Sequence, residues 1–318
     1  MRKSTKLLLG IGAAIATPIA INYVIAKKAE ARIKKAQEAA LPPYEQLEYE
    51  WEYGNIRYTK TGEGKPPLLL LHGIYPGASG LEWDLAIEWF AEDYTVYVPD
   101  LLGFGYSSKP ALDFCSYLFV RLIKDFAENV IGQPTTAIAS LHTAAALVSC
   151  ASLNPQDFEK IVLVSPTGLE TETILAQDED GMLKKVLESP VAGTSFYNAI
   201  CSKKALAQFY AKEGLVNADF FDEAYMDKVY LAAHADRASG KYALAALLGK
   251  FFNTDIKETL ANLEVPYSII VGEPQCAGAS FKIYNGMDES YDAHVVEFAG
   301  LLPHTENGGK FYDLVKSL

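Results

Sequence analysis

The chain repeats one pattern: short, almost wholly apolar runs separated by segments with helical periodicity. Leu68–Leu71, Thr95–Val98, Ala137–Ala139, Ile161–Val164 and Ser268–Val271 are such runs, and His294–Phe298 closes the series. A strand with no polar alternation has both faces covered. Helical patterns fall between the runs, over 83–91, 115–131, 143–153, 254–263 and 306–318. Strand–helix alternation with doubly buried strands predicts an α/β fold: a mostly parallel sheet, of the eight-stranded type, with helices on both faces. Ahead of it, segments 49–53 and 56–60 flank Gly54-Asn55, the predicted turn of a hairpin.

Residues 168–252 interrupt the alternation. They contain no buried-strand run and read as several helices, over 182–189, 203–214 and 222–237. The predicted organisation is therefore a core of 47–167 and 253–318, with a helical lid of 168–252 over the carboxyl ends of the strands, where such sheets bind ligands.

The amino terminus is of a different kind. Leu7 to Ala26 is 20 residues without a charge, about 30 Å as a helix and enough to cross a hydrocarbon core. We expect a single-pass membrane anchor over 1–26; a cleaved signal peptide and a soluble helix are the alternatives. Residues 27–46 read as a basic helix and a Pro-Pro linker. Residues 1–41 hold eight basic and two acidic side chains, +6, so the rest of a chain with net charge −12 carries −18. The basic flank suits anionic lipid, and the acidic body argues against nucleic acid. The bias of Lys and Arg places the main domain on the cytoplasmic face, opposed by Arg2, Lys3 and Lys6 before the anchor. The four cysteines are far apart, without a C-x-x-C, so neither a metal site nor a disulfide framework is expected, and no cofactor.

Five local motifs then coincide in order: Leu71-His72-Gly73-Ile74, DLLGFGYSSKP over 100–110, VLVSP over 162–166, Val265-Pro266 with Gly272-Glu273, and AGLLPHTE over 299–306. Together they resemble the α/β-hydrolase superfamily from about residue 48 to the end. The resemblance implies a Ser–acid–His triad with the nucleophile on a strained strand-to-helix turn. Here that turn reads Ala139-Ser140-Leu141-His142-Thr143. Counting back from Pro155 puts Leu141 at the nucleophile position, and a slip of one residue would put His142 there. The acid position falls on Gln275 and the histidine position on Leu301. Leucine cannot serve as a general base.

The resemblance thus implies a hydrolase scaffold whose triad is degenerate. Fallback candidates for a rearranged, esterase-like site are Ser140, His142, His304 and Glu273. The backbone amides of Ile74 and His142 are the oxyanion donors that the resemblance suggests, and His72 is expected to brace that loop. Three roles stay open: a membrane-tethered pseudo-hydrolase holding a small apolar ligand or a protein partner, an active hydrolase with a rearranged site, and a structural subunit of a membrane complex.

Overall fold

The computed structural model describes residues 17–32, 44–170, 173–211, 222–273 and 291–318. Eight strands form one sheet: β1 (Glu45–Trp51), β2 (Gly54–Thr61), β3 (Pro67–Leu71), β4 (Thr95–Pro99), β5 (Thr135–Ser140), β6 (Phe158–Val164), β7 (Tyr267–Gly272) and β8 (Ala293–Val296). Their order is β1-β2-β4-β3-β5-β6-β7-β8. The β1–β2 and β2–β4 pairs are antiparallel and every later pair is parallel. All five residues of β3 are buried, as are the last four of β5, β6 and β7. Their apolar runs contain no alternation because both faces are covered.

The helices are α1 (17–32), α2 (Ile87–Phe90), α3 (Ser116–Phe126), α4 (Leu141–Leu153), α5 (Asp178–Glu188), α6 (Ala192–Ile200), α7 (Lys203–Phe209), α8 (Glu223–Ala233), α9 (Lys241–Leu248), α10 (Lys257–Ala261), α11 (Pro303–Glu306) and α12 (Gly308–Ser317). Helix α3 widens into a π turn over Ala127–Ile131 and stops at Gly132, φ +70°. Glycine fits that left-handed stop without steric cost. Two apolar clusters cover the sheet. One packs α3, α4 and the lid-side residues against Leu69, Leu71, Ala137, Ala139 and Leu163. The other packs Trp83, Phe90, Phe311 and Tyr312 against Leu68, Leu70, Ile138 and Val162. Alternate residues of each strand thus point to opposite clusters.

Two local expectations change. The hairpin turns at Glu52-Tyr53, because Trp51 pairs with Gly54. Gly54 instead lies within β2, at φ +138°, where Ser108 approaches so closely that a Cβ would stand 2.5 Å from the serine's own. The helix expected over 83–91 is a 3-10 turn, Gly80–Trp83, followed by the four-residue α2.

Helices α5 to α9 lie between β6 and β7. Helix α1 rests on them. Asn22 donates to Ser195 Oγ at 3.1 Å and accepts from Asn198 Nδ2 at 3.0 Å. Glu30 accepts from Arg237 Nε at 2.9 Å, and Ala29 is buried. Residues 1–16 of the expected anchor over 1–26 lie outside the described residues. Among the described residues, no helix is long and apolar enough to cross a membrane. The part of the expected anchor that is described, 17–26, lies against the lid; an amide such as Asn22 needs hydrogen-bond partners, and α6 supplies them.

Candidate active site and the buried network beneath it

Strand β5 ends extended at Ser140, φ −111° and ψ 151°. The next residue, Leu141, has φ +55° and begins α4. A leucine in left-handed backbone costs roughly 1–2 kcal/mol, so the surrounding packing must impose the turn. Leu141 is buried, with Ile74, Tyr75, Leu206 and Leu301, in the lid-side apolar cluster. Its side chain lies against Gly73: a Cβ there would stand 2.8 Å from Leu141 Cδ1 and 2.9 Å from Ser140 Oγ. The elbow and the loop after β3 approach so closely that a side chain at Gly73 would force Leu141 and Ser140 to shift.

Beneath the elbow is a feature that the sequence reading missed. Glu82, in the 3-10 turn, is buried and receives four donors. Its Oε1 accepts from Ser140 Oγ at 2.5 Å and from His304 Nε2 at 2.9 Å. Its Oε2 accepts from Gly73 N and from Tyr75 Oη, both at 2.8 Å. Two carboxylate oxygens offer about four lone-pair sites, and all are filled. Burial alone pushes the acid's pKa up. The hydrogen bond and charge of His304, with the hydrogen bond from Ser140, outweigh it and hold Glu82 below its ordinary value. His304 is wholly buried and stacks on Trp83, with ring centroids 4.0 Å apart. Two of the partners that identify Glu82 are distant in the chain: Ser140 is 58 residues away and His304 is 222. Locally, Glu82 is one of several acids in the stretch, with Asp84 and Glu88 close behind it, and nothing in the spacing singles it out.

The other predicted residues separate. His142 sits in the first turn of α4 with Nε2 3.2 Å from Asn253 Oδ1. Burial pushes its pKa down to about 4. His72 lies between two backbones: its Nε2 accepts from Leu101 N at 2.9 Å, and its Nδ1 meets Gly73 O at 2.7 Å. With Nε2 accepting, Nδ1 carries the proton, and the ring ties the end of β3 to the end of β4. Thr143 donates to His72 O at 2.8 Å. Glu273 accepts from Phe298 N at 3.1 Å. Leu301 is buried in the same apolar cluster as Leu141. Gln275 lies outside the described residues.

Chemically, the elbow presents a hydrocarbon. Ser140 is committed to Glu82, and His304 donates to the same carboxylate oxygen, so among the described residues no imidazole accepts from a serine. Ile74, the predicted oxyanion donor, is buried beside Leu141. Among the described residues, no group of three or more His, Cys, Asp or Glu side chains is placed to hold a metal ion.

Comparison with known proteins agrees with this architecture. Residues 68–314 match the model of the alpha/beta hydrolase family. An uncharacterized protein of Mycobacterium tuberculosis is 27% identical over 123 residues, 39% of this chain and 36% of that one. The 2-hydroxy-6-oxo-6-(2'-aminophenyl)hexa-2,4-dienoic acid hydrolase of Metapseudomonas resinovorans is 32% identical over 119 residues, 36% of this chain and 40% of that one. The chain thus spans well under half the length of these relatives. A (lyso)-N-acylphosphatidylethanolamine lipase of Mus musculus is 25% identical over 244 residues, 71% of this chain and 69% of that one. Among solved structures, a serine hydrolase involved in carbazole degradation superposes with TM-score 0.63 at 19% identity, covering 86% of this chain and 98% of that one. A bacterial membrane phospholipase A gives TM-score 0.63 at 18% identity, covering 99% and 96%. Sheet order, the strand-to-helix elbow and the matched span lead to one assignment: the chain belongs to the alpha/beta hydrolase family.

Proposed function

We propose that this protein is a membrane-associated pseudo-hydrolase, a hydrolase fold that binds a small apolar ligand or a partner and does not cleave it. One observation carries the reading: the residue in left-handed backbone at the elbow is Leu141, whose side chain is buried against Gly73. A hydrocarbon there can neither attack a carbonyl nor be activated to do so. Leu301, at the histidine position, adds a second apolar group to the same cluster. The membrane part rests on the uncharged segment 7–26 with its basic flanks, and on relatives named as a phosphatidylethanolamine-type lipase and a membrane phospholipase.

The rearranged site is the rival reading. Ser140 and His304 both reach Glu82, but as donors to one oxygen. A histidine that donates there takes no proton from serine. A carboxylate held below its ordinary pKa is a weak base, and all three side chains are buried away from substrate.

A fluorophosphonate probe tests the proposal on the full chain in neutral detergent micelles. We expect no stable labelling and no turnover of p-nitrophenyl esters. Labelling that disappears in Ser140→Ala would overturn the proposal. Native mass spectrometry of the same preparation then reads the occupant: a retained small molecule, or a co-purifying protein.

A further inference from the structure

A cavity of about 300 Å³ opens between α1 and the lid, far in the chain from the elbow residues. Its wall includes Lys27 and Glu30 of α1, His234 and Arg237 just after α8, and Lys241 of α9. Three cations against one acid leave +2 at this wall, in a chain whose net charge is −12. Glu30 does not simply cancel them. It accepts from Lys27 Nζ at 2.8 Å and from Arg237 Nε at 2.9 Å, which holds both cations at one rim and leaves the terminal guanidinium nitrogens available. From the opposite wall Lys241 donates to Thr194 Oγ1 at 3.1 Å and to Ser189 O at 3.3 Å. An ammonium has three donors, so one remains.

His234 supplies the independent observation. It is 2% exposed, and its Nδ1 lies 2.9 Å from Tyr230 O. A carbonyl can only accept, so the proton is on Nδ1 and Nε2 is left as an acceptor. That Nε2 is buried with no partner among the described residues. Buried polar atoms without partners are rare and point to a missing group. The wall therefore asks for a ligand with several anionic acceptor oxygens and one acidic hydroxyl. A carboxylate or a sulfate has no such proton near neutral pH. A phosphate monoester, whose second pKa is about 6, carries both as the monoanion, the form well populated at and below about pH 6.

We propose that this cavity binds a phosphate monoester group, its oxygens on Arg237, Lys241 and Lys27 and its P–OH donating to His234 Nε2. The group could belong to a free phosphate compound or to a lipid headgroup. The exposed Ile19, Ile21 and Val24 of α1 would suit the acyl part of the latter. The inference does not depend on the state of the triad.

Calorimetric titration of the full chain at about pH 6, in uncharged detergent micelles, tests it with inorganic phosphate, glycerol 3-phosphate and phosphatidic acid doped into the micelles, against sulfate. Saturable binding in at least one phosphate arm, with sulfate at least tenfold weaker, is expected. Binding confined to doped micelles assigns the lipid source, and binding of the soluble esters assigns the free one. Arg237→Gln and His234→Gln should each weaken binding about tenfold or more, the scale of a lost charge-assisted or buried hydrogen bond. Arg237 is 66% exposed, so its variant should melt like the parent. No binding in any phosphate arm, equal affinity for sulfate, or parental affinity in both variants would overturn the proposal.

Discussion

Replacing Glu82 by glutamine should be among the most destabilising isosteric changes available in this protein. Four donors point at the carboxylate, two at each oxygen. An amide keeps one oxygen and turns an NH2 toward the other two partners; the hydroxyl there can turn to accept, but the N–H of Gly73 or His304 becomes a buried donor–donor contact. Each orphaned buried group costs about 1–3 kcal/mol, and breaking a buried charged pair costs about 3–5 kcal/mol. We expect about 3–5 kcal/mol, a large part of a typical 5–15 kcal/mol stability. Tyr75→Phe removes one donor of the four and should cost about 1 kcal/mol. The assay is denaturant unfolding of the full chain in neutral detergent, followed by tryptophan fluorescence, since Trp83 stacks on His304 beside the carboxylate. The acid dependence gives a second readout. A carboxyl held below its ordinary 4.5 contributes stability that is fully present above that pH and is lost as pH falls through the depressed folded value. Glu82→Gln should flatten that acid limb. A loss under 1 kcal/mol, or an unchanged acid limb, would refute the four-donor account.

Leu141→Ala should cost about 2–5 kcal/mol in the same unfolding assay, the range for deleting a buried leucine side chain; a neutral result would mean that the elbow side chain is not packed. His142, held neutral by burial with its pKa near 4 against an ordinary 6.5, makes stability fall as pH drops from 6.5 towards 4, by at most about 3 kcal/mol. His142→Gln should remove that slope, read from unfolding midpoints across the pH series. Gly105→Ala should fail to give folded protein, since the residue has φ +52° and a Cβ would overlap the Asp100 carboxylate; a parental melting curve would contradict this. Asn22→Ala removes the bonds to Ser195 and Asn198 and should speed amide exchange in α1 while leaving β3 and β5 protected.

Most of the fold is legible in the chain because burial on both faces leaves a mark that does not depend on partners. Leu68–Leu71 and Ile161–Val164 are apolar at every position, and only a covered strand tolerates that. Helix α6 is less legible: AGTSFYNAI mixes small, β-branched and aromatic residues of modest helix propensity. Its form depends on tertiary contacts with α5 and α9. The elbow was legible to within one residue. Spacing allows Leu141 or His142, and the positive φ falls on Leu141, while His142 lies inside α4 bonded to Asn253. The Glu82 network was not legible, because Gly73, Tyr75, Ser140 and His304 come together only when the ends of β3 and β5 are set beside α11.

If the elbow carries no nucleophile, as proposed above, that network also bears on how the fold stays well formed. In a working site the elbow side chain and the histidine after β8 are polar and must be reached by substrate. Here Leu141 and Leu301 are both about 5% exposed. Each buried leucine contributes on the order of 1.5–3 kcal/mol relative to an exposed one. One layer lower, Glu82 accepts from the loop after β3, the elbow serine and the α11 histidine together. Under the proposed reading, the positions that would do chemistry are part of the core, and the buried carboxylate fixes backbone. On this reading the strain at Leu141 is a property of the fold, imposed by the close approach of the elbow to Gly73, and it persists whether or not the side chain carried there can react.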